Sequence, residues 1–311
     1  MEILYKYSDY YGMKSINDPA LRLSPTAILN DPFENRLNEE VINNIKEKIS
    51  LKGLGFDVNP NFPKHFETSF LMQRINEQID DYGIVSLSET PRNLLMWAHY
   101  ANEHKGICIG YKRNLFESLP DQISNYISNA ESYTPVKVNY DNIRPQVISD
   151  NRPDLDKVKS YVLQQLTTKS DDWMYEKEHR CIIPIHWADE IKIMKDSDAY
   201  SDLIHSDLIK GFIDEGQIKK NKDGNYDGEL LSPMISLYKR YEGAIFLKKI
   251  KKESIASIHL GCRFNREIAN KIISYVSKKE SGLSHIKIYQ CAPSSNRFEI
   301  IPHQIYAPAE G

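Results

Sequence analysis

In the stretch WMYEKEHRCIIPI, residues 173–185, a charged tract leads directly into an apolar run. A short apolar run rich in isoleucine is typical of a β-strand, so we predict a strand that begins within the charged tract. On a regular strand Glu176, Glu178 and Arg180 project to one face, with neighbouring side chains about 6.5 to 7 Å apart. The stretch therefore predicts two carboxylates on one face of a sheet.

This Glu-x-Glu pair has two interpretations. Two like charges at that separation raise the pKa of one carboxyl and leave the other ionised, which suits a site that handles a proton or a developing positive charge. Alternatively, Glu178 pairs with Arg180, or the tract is helical and Glu176 and Arg180 form a surface pair worth about a few tenths of a kcal/mol. Spacing alone favours the second, structural interpretation.

Three earlier segments predict strands. Residues 3–7 and 20–24 are short apolar runs, and residues 83–88 (GIVSLS) alternate as a half-buried strand. Ser86 and Ser88 share one face of this third strand. Their hydroxyls could orient a substrate hydroxyl, although a serine on a strand face is more often simply solvated.

A helix is predicted after this third strand. Thr90 is a typical N-cap with proline at the first helical position, and the helix continues through LLMWAHYA to near Gly106. It carries Trp97, His99 and Tyr100 close together. A histidine there could act as a general base or proton donor. The alternative is that the aromatic residues lie in the core and His99 completes a hydrogen-bond network.

The overall pattern predicts one α+β domain over residues 1–311, with mixed, mainly antiparallel sheets flanked by helices. Residues 189–250 are rich in Lys, Asp, Asn and Gly, so we predict an insertion or mobile segment within the domain. The 40 basic and 43 acidic residues nearly balance, at a formal net charge of -3. The overall charge therefore favours neither a nucleic acid nor a membrane surface as partner.

Cysteine usage and hydropathy favour a cytoplasmic protein. No C-x-x-C pair or nearby histidine accompanies the four cysteines, so we expect reduced thiols and no metal site: they are Cys108, Cys181, Cys262 and Cys291. The amino terminus lacks the pattern of a secretion signal, and no window approaches the ~20 apolar residues of a membrane span. Nucleophile-elbow, P-loop, Rossmann and zincin motifs are also absent, which disfavours those enzyme classes.

Several runs resemble, in residue type and order, a large bacterial family known as domain of unknown function 2971. The runs are LYKY, LRLSPTAILNDPFE, VSLSETPRNLLMWAHYANEHKGICIGY, WMYEKEHRCI and SIHLG. The resemblance covers residues 3–111, 133–186 and 257–261. Because this family has no assigned reaction, the resemblance implies an architecture and a cluster of residues more than an activity.

A second resemblance, in motif order, is to the ADP-ribosyltransferases. Many of these present a basic or polar residue on an early strand, then Ser-x-Ser, then Glu-x-Glu at the start of a later strand. Here Lys6, the serines 86 and 88, and the Glu176 and Glu178 pair stand in that order. The resemblance implies an ADP-ribosyltransferase-like fold with NAD as substrate. Transferases of this type usually carry Arg or His where LYKY has Lys6.

The same resemblance implies roles for individual residues. Glu178 would hold the ribose hydroxyl of NAD and stabilise an oxocarbenium-like transition state, Ser88 would steady the pocket, and Glu176 would position the acceptor. An aromatic ring would stack on nicotinamide, and Arg22 or Lys105 would bind the pyrophosphate. The candidate catalytic residues are Glu178, Glu176, His99 and Ser88, and the candidate NAD-binding residues are Tyr5, Lys6, Tyr7, Arg22, Ser86, Trp97, Tyr100 and Lys105.

The expected function is thus that of an NAD-dependent ADP-ribosyltransferase-like effector, and family-level association implies a bacterial toxin or phage-defence component. One alternative is a non-catalytic sensor that binds a nucleotide or a partner peptide. Another is a nuclease in which Asp31, Glu34 and either Glu176 or Glu178 bind Mg²⁺, because clustered carboxylates suit that ion.

Overall fold

The computed structural model describes residues 2–57, 63–116, 133–147, 151–229 and 231–308. The strands are β1 (Ile3–Ser8), β2 (Ala20–Pro25), β3 (Tyr82–Ser88), β4 (Ile107–Lys112), β5 (Val136–Lys137), β6 (Asn139–Tyr140), β7 (Thr168–Lys169), β8 (Glu178–Pro184), β9 (Glu190–Ile193), β10 (Lys219–Lys220), β11 (Tyr226–Asp227), β12 (Ala244–Lys249), β13 (Ile255–Leu260), β14 (Lys287–Pro293) and β15 (Ile300–Tyr306). The helices are α1 (Lys14–Asn17), α2 (Glu39–Lys48), α3 (Lys64–Asp80), α4 (Leu94–Tyr100), α5 (Asp154–Thr167), α6 (Asp198–His205), α7 (Asp207–Asp214), α8 (Leu231–Tyr238) and α9 (Arg266–Val276).

One large sheet contains most of the strands, in the order β10-β11-β9-β12-β2-β3-β1-β4-β13-β14-β15. β8 pairs with β3 and with the short β5. The pairings in this sheet are antiparallel except that β13 and β14 run parallel, and a separate parallel pair joins β6 to β7. The predicted α+β class, with a mainly antiparallel sheet and helices, is confirmed.

The sheet splits beside β3. One edge of β3 pairs with β8 over its whole length, from Tyr82 opposite Pro184 to Ser88 opposite Glu178. The other edge is shared, because β2 pairs only with Gly83 and Ile84 at its start and β1 pairs only with Ser88 at its end. β1 and β2 therefore diverge, and the middle of β3 faces the space between them.

The apolar run of β8 is buried on both faces of the sheet. Cys181 and Ile183 pack into one hydrophobic cluster together with Val85 of β3. Ile182 packs into a second cluster with Ile84 and with side chains of α2, α3 and α5. The near-continuous apolar run of β8 is therefore explained by burial on both faces of the sheet.

Helix α4 differs from its prediction at both ends. It begins after Asn93, whose side chain accepts hydrogen bonds from Leu95 N at 2.9 Å and Met96 N at 3.2 Å, so Asn93 rather than Thr90 is the N-cap. It ends at Tyr100 rather than near Gly106. Three successive residues, Asn102, Glu103 and His104, have positive φ and cannot continue a right-handed helix.

Residues 189–250, for which we predicted an insertion or mobile segment, contribute strands to the large sheet. β9 pairs with β12, and β12 pairs with β2 through partners such as Phe246 and Leu23. Helices α6, α7 and α8 also belong to this tract. No helix of the described residues is long and apolar enough to span a bilayer.

Gly83 of β3 lies against Leu23 of β2 and provides a test of this packing. A Cβ atom added there would lie 2.5 Å from Leu23 Cβ and 3.2 Å from Leu23 Cα. Gly83→Ala should lower the free energy of unfolding by about 1–3 kcal/mol, because strand backbone must move. Gly211→Ala in α7 is the matched control: nothing lies within 4 Å of the added atom. Urea unfolding that gives both variants equal stability would contradict this packing.

Candidate functional site

A pocket of about 200 Å³ lies where the sheet splits. Nine of the twelve predicted site residues line it: Tyr5, Lys6, Tyr7, Arg22, Ser86, Ser88, Tyr100, Glu176 and Glu178. Its other lining residues are Ser24, Ile28, Leu29, Asn30, Glu34, Leu87, Met96, Lys169 and Arg180. The structure thus brings together segments that are far apart in the chain.

Strand register explains why the three motifs meet. Tyr5 of β1 lies opposite Ser88 of β3, and Ser88 lies opposite Glu178 of β8. Directly opposed residues share one face of a sheet, so these three side chains form a row across it. Lys6 projects differently and reaches into the split, where its Nζ donates a hydrogen bond of 3.0 Å to the carbonyl oxygen of Ser86.

We predicted that Glu176 and Glu178 lie on one regular strand, but the structure differs. Glu176 ends the 3₁₀ helix Asp171–Glu176, Lys177 has a left-handed backbone with φ 47°, and β8 begins only at Glu178. Because of this left-handed turn, the side chains of residues 176–178 do not alternate between two faces as they would on a strand. The carboxylates of Glu176 and Glu178 both line the pocket. Ser88 Oγ secures this turn by donating a hydrogen bond of 2.7 Å to the carbonyl oxygen of Glu176.

The guanidinium of Arg180 is the centre of a buried ion cluster. Its Nε and Nη2 donate to the two carboxylate oxygens of Glu178, at 2.8 and 2.9 Å. Nη2 also donates to Glu34 Oε1 at 2.5 Å, and Nη1 donates to the carbonyl oxygen of Leu166 at 2.8 Å. Arg180 is 1% exposed, so this bidentate pairing takes place away from water.

Lys169 is a second cation of the cluster. Its Nζ donates to Glu176 Oε2 at 2.7 Å and lies 3.6 Å from Glu178 Oε2 and 3.7 Å from Glu34 Oε1. The same nitrogen lies 4.4 Å from the ring centre of Trp173. The other oxygen of Glu176 accepts a hydrogen bond of 2.5 Å from the Tyr100 hydroxyl.

Burial and pairing shift the pKa values of these groups in different directions. Burial alone would raise the pKa of the Glu178 carboxyl, but Arg180 and Lys169 lower it to about 2. For Glu34 burial prevails over the same two cations, and its pKa is raised. Burial lowers the pKa of Lys6, against the attraction of Glu178. Glu178 is therefore an anion across the physiological range.

Three predicted residues do not line the pocket. Trp97 is fully buried in the core, where its indole Nε1 donates a hydrogen bond of 2.8 Å to Pro91 O. His99 is exposed on the outer side of α4, with its ring 6.3 Å from that of Tyr175. Lys105 is exposed and its Nζ lies 3.5 Å from Glu103. The early end of α4 explains the position of Lys105, which falls in the turn after the helix.

Lys169 was missed by sequence reasoning, and Glu34 was considered only as a metal ligand. Lys169 lies in the polar sequence TTKS, which resembles an ordinary loop.

No group of three or more His, Cys, Asp and Glu residues within the described ranges is placed to hold a metal ion. For the nuclease alternative, Mg²⁺ would have to displace Arg180 and Lys169 from the carboxylates. Asp31 instead accepts a hydrogen bond of 2.9 Å from Phe33 N.

Residues 96–181 match the model of a family described as "Protein of unknown function (DUF2971)". The match supports the first family resemblance and spans Tyr100, Lys169, Glu176, Glu178 and Arg180. It covers less than a third of the chain. Comparison with the curated proteins and with the solved structures gave no match.

The lowered pKa of Glu178 predicts how stability depends on pH. Its ordinary value is 4.5 and its folded value about 2, so its contribution is complete above about pH 4.5 and is lost as pH falls towards 2. Glu178→Gln should therefore be less stable than the wild type at about pH 7. The difference should shrink at about pH 4 and pH 3, as measured by urea unfolding. A difference independent of pH would contradict the assigned ion pair.

Proposed function

We propose that the protein is an ADP-ribosyltransferase-like enzyme that breaks the bond between nicotinamide and ribose in NAD and transfers ADP-ribose to an acceptor. One observation supports this most: the lysine, Ser-x-Ser and Glu-x-Glu segments lie on β1, β3 and at the start of β8, and all three line one pocket. The motif order that suggested the activity thus corresponds to neighbouring positions in the sheet.

The electrostatics of the pocket suit this reaction. Cleavage of a glycosidic bond develops positive charge on the sugar, and a fixed anion beside it stabilises the transition state. Glu178 is 3% exposed and ionised, so its charge is little screened by water. Arg180 holds it in place through both oxygens, which fixes its position before substrate binds.

The size of the pocket suits one end of NAD. At about 200 Å³ it is smaller than the roughly 300–1,000 Å³ of typical ligand sites. It would enclose nicotinamide and the adjoining ribose, with the Tyr5 ring in contact with the base. Arg22 is exposed at the pocket and forms no salt bridge within the described ranges, so it is free to bind the pyrophosphate outside. An effector role, as a bacterial toxin or phage-defence component, is proposed from family-level association alone.

A non-catalytic nucleotide-binding module is the second candidate. It is favoured by one observation, namely that both oxygens of Glu176 and both oxygens of Glu178 already accept hydrogen bonds from protein groups. Such a module would bind NAD or a related nucleotide without turnover. Ligand binding would then raise the melting temperature while no nicotinamide is released.

Nicotinamide release from NAD, with and without cell lysate as a source of acceptor, tests the proposal. Glu178→Gln should lower kcat at least about 100-fold, because the amide carries no charge to stabilise the transition state. Glu280→Gln, which changes an exposed glutamate far from the pocket, should leave kcat unchanged. The folded fraction of each variant, measured by near-UV circular dichroism, corrects for lost stability. Equal release by Glu178→Gln and the wild type would refute the assigned role.

A further inference from the structure

Two lysines line the pocket, and their partners differ. Lys169 Nζ donates to the Glu176 carboxylate at 2.7 Å and lies 3.6 Å from that of Glu178. Lys6 Nζ instead donates to a neutral group, the carbonyl oxygen of Ser86, at 3.0 Å. Within the described ranges Lys6 forms no salt bridge, and none of the cluster's carboxylates pairs with it. One of the two lysines is therefore held as a cation by carboxylates and the other is not.

The split in the sheet gives Lys6 its position. β1 pairs with β3 only at Ser88, so the Lys6 side chain reaches into the gap and its Nζ takes the place of a strand N–H at the Ser86 carbonyl. Lys6 is partly exposed and lines the pocket, whereas Lys169 is 7% exposed. Lys6 is therefore the pocket lysine that is open to a ligand.

The surroundings of Lys6 favour its neutral amine. Burial lowers the pKa of Lys6, and the positive charge of Arg22 also lowers it. Glu178, Glu176 and Cys181 act in the opposite direction without restoring the ordinary value. A lysine that is desolvated beside another cation becomes nucleophilic at neutral pH. As an amine, it keeps one N–H on the backbone carbonyl and has a lone pair free to attack.

We propose that Lys6 is a nucleophile that forms an imine with a small aldehyde or ketone carrying an anionic group. The amine nitrogen bonds to the carbonyl carbon, the carbon–oxygen bond breaks, and the oxygen leaves as water with the two amine protons. A pocket of about 200 Å³ suits a small carbonyl compound. Arg22 lines the same pocket and forms no salt bridge in the described part of the chain, so it is placed to bind the anionic group. This site does not depend on the proposed transferase activity.

Reductive trapping of the imine identifies the nucleophile. Glyceraldehyde 3-phosphate supplies an aldehyde and a phosphate, and cyanoborohydride reduces the imine to a stable amine that peptide mass spectrometry assigns to one residue. At about pH 7, Lys6 should be modified at least about 10-fold faster than Lys46, an exposed lysine of α2, because the fraction of free amine rises about tenfold for each pH unit by which a pKa falls. Modification of Lys6 no faster than that of Lys46, or preferential modification of Lys169, would overturn the inference.

The folded pocket, rather than the local sequence, should determine this rate. In denaturing urea the preference for Lys6 over Lys46 should disappear. Lys6→Arg keeps a positive charge and N–H donors at this position, and it should lose the fast equivalent of label in intact-mass measurements, while Lys46→Arg should retain it. A preference that persists in urea, or a fast equivalent that persists in Lys6→Arg, contradicts the proposal. The peptide assignment uses only the wild type, so it decides the question even where Lys6→Arg fails to fold.

Glyceraldehyde, which lacks the phosphate, tests the part assigned to Arg22. It should modify Lys6 more slowly than the phosphate ester does, and Arg22→Gln should remove most of this difference. The ratio of the two rates is the readout, because a change in the reactivity of Lys6 itself affects both aldehydes equally. Equal rates in the wild type would overturn the anionic group. Labelling requires no NAD, so the imine can be refuted while nicotinamide release is observed, and the reverse.

Discussion

The buried guanidinium of Arg180 is the interaction on which the site depends. A cation at 1% exposure is stable only with anionic partners, and Arg180 finds them in Glu178 on its own strand and in Glu34, which is 146 positions away. It also binds the carbonyl at the end of α5. Loss of one partner of such a pair costs about 3–5 kcal/mol. Arg180 thereby fixes three separate segments around one pocket.

The pocket exists because β1 and β2 share one edge of β3 without continuing each other. A continuous sheet would fill that edge with hydrogen bonds and side chains. The split instead exposes the middle of β3, and Lys6 satisfies the carbonyl of Ser86 there. Apolar packing of β8 on both faces supports the charged end at Glu178. The result is a rigid pocket wall whose carboxylates are held in place by Arg180 and Lys169.

Local patterns were sufficient to predict the strands at residues 3–7, 20–24 and 83–88 and the α+β class. Nine of the eighteen residues that line the pocket were named from the motif resemblance. Local patterns failed where a partner distant in sequence decides the structure. Glu176 ends a 3₁₀ helix, and Lys177 after it adopts a left-handed backbone. The spacing of residue types in the sequence does not predict this turn. Lys169 lies in a polar run without a motif. The end of α4 was also missed, because Asn102 and its two successors adopt positive φ although none is glycine.

A crystal structure of Glu178→Gln with NAD would show where the dinucleotide binds, because the variant should bind NAD without consuming it. Nicotinamide and its ribose should lie in the split between β1 and β2, in the pocket that Glu178 lines, with the pyrophosphate beside Arg22. NAD bound elsewhere on the protein, or an empty pocket at saturating NAD with the cluster intact, would contradict this placement.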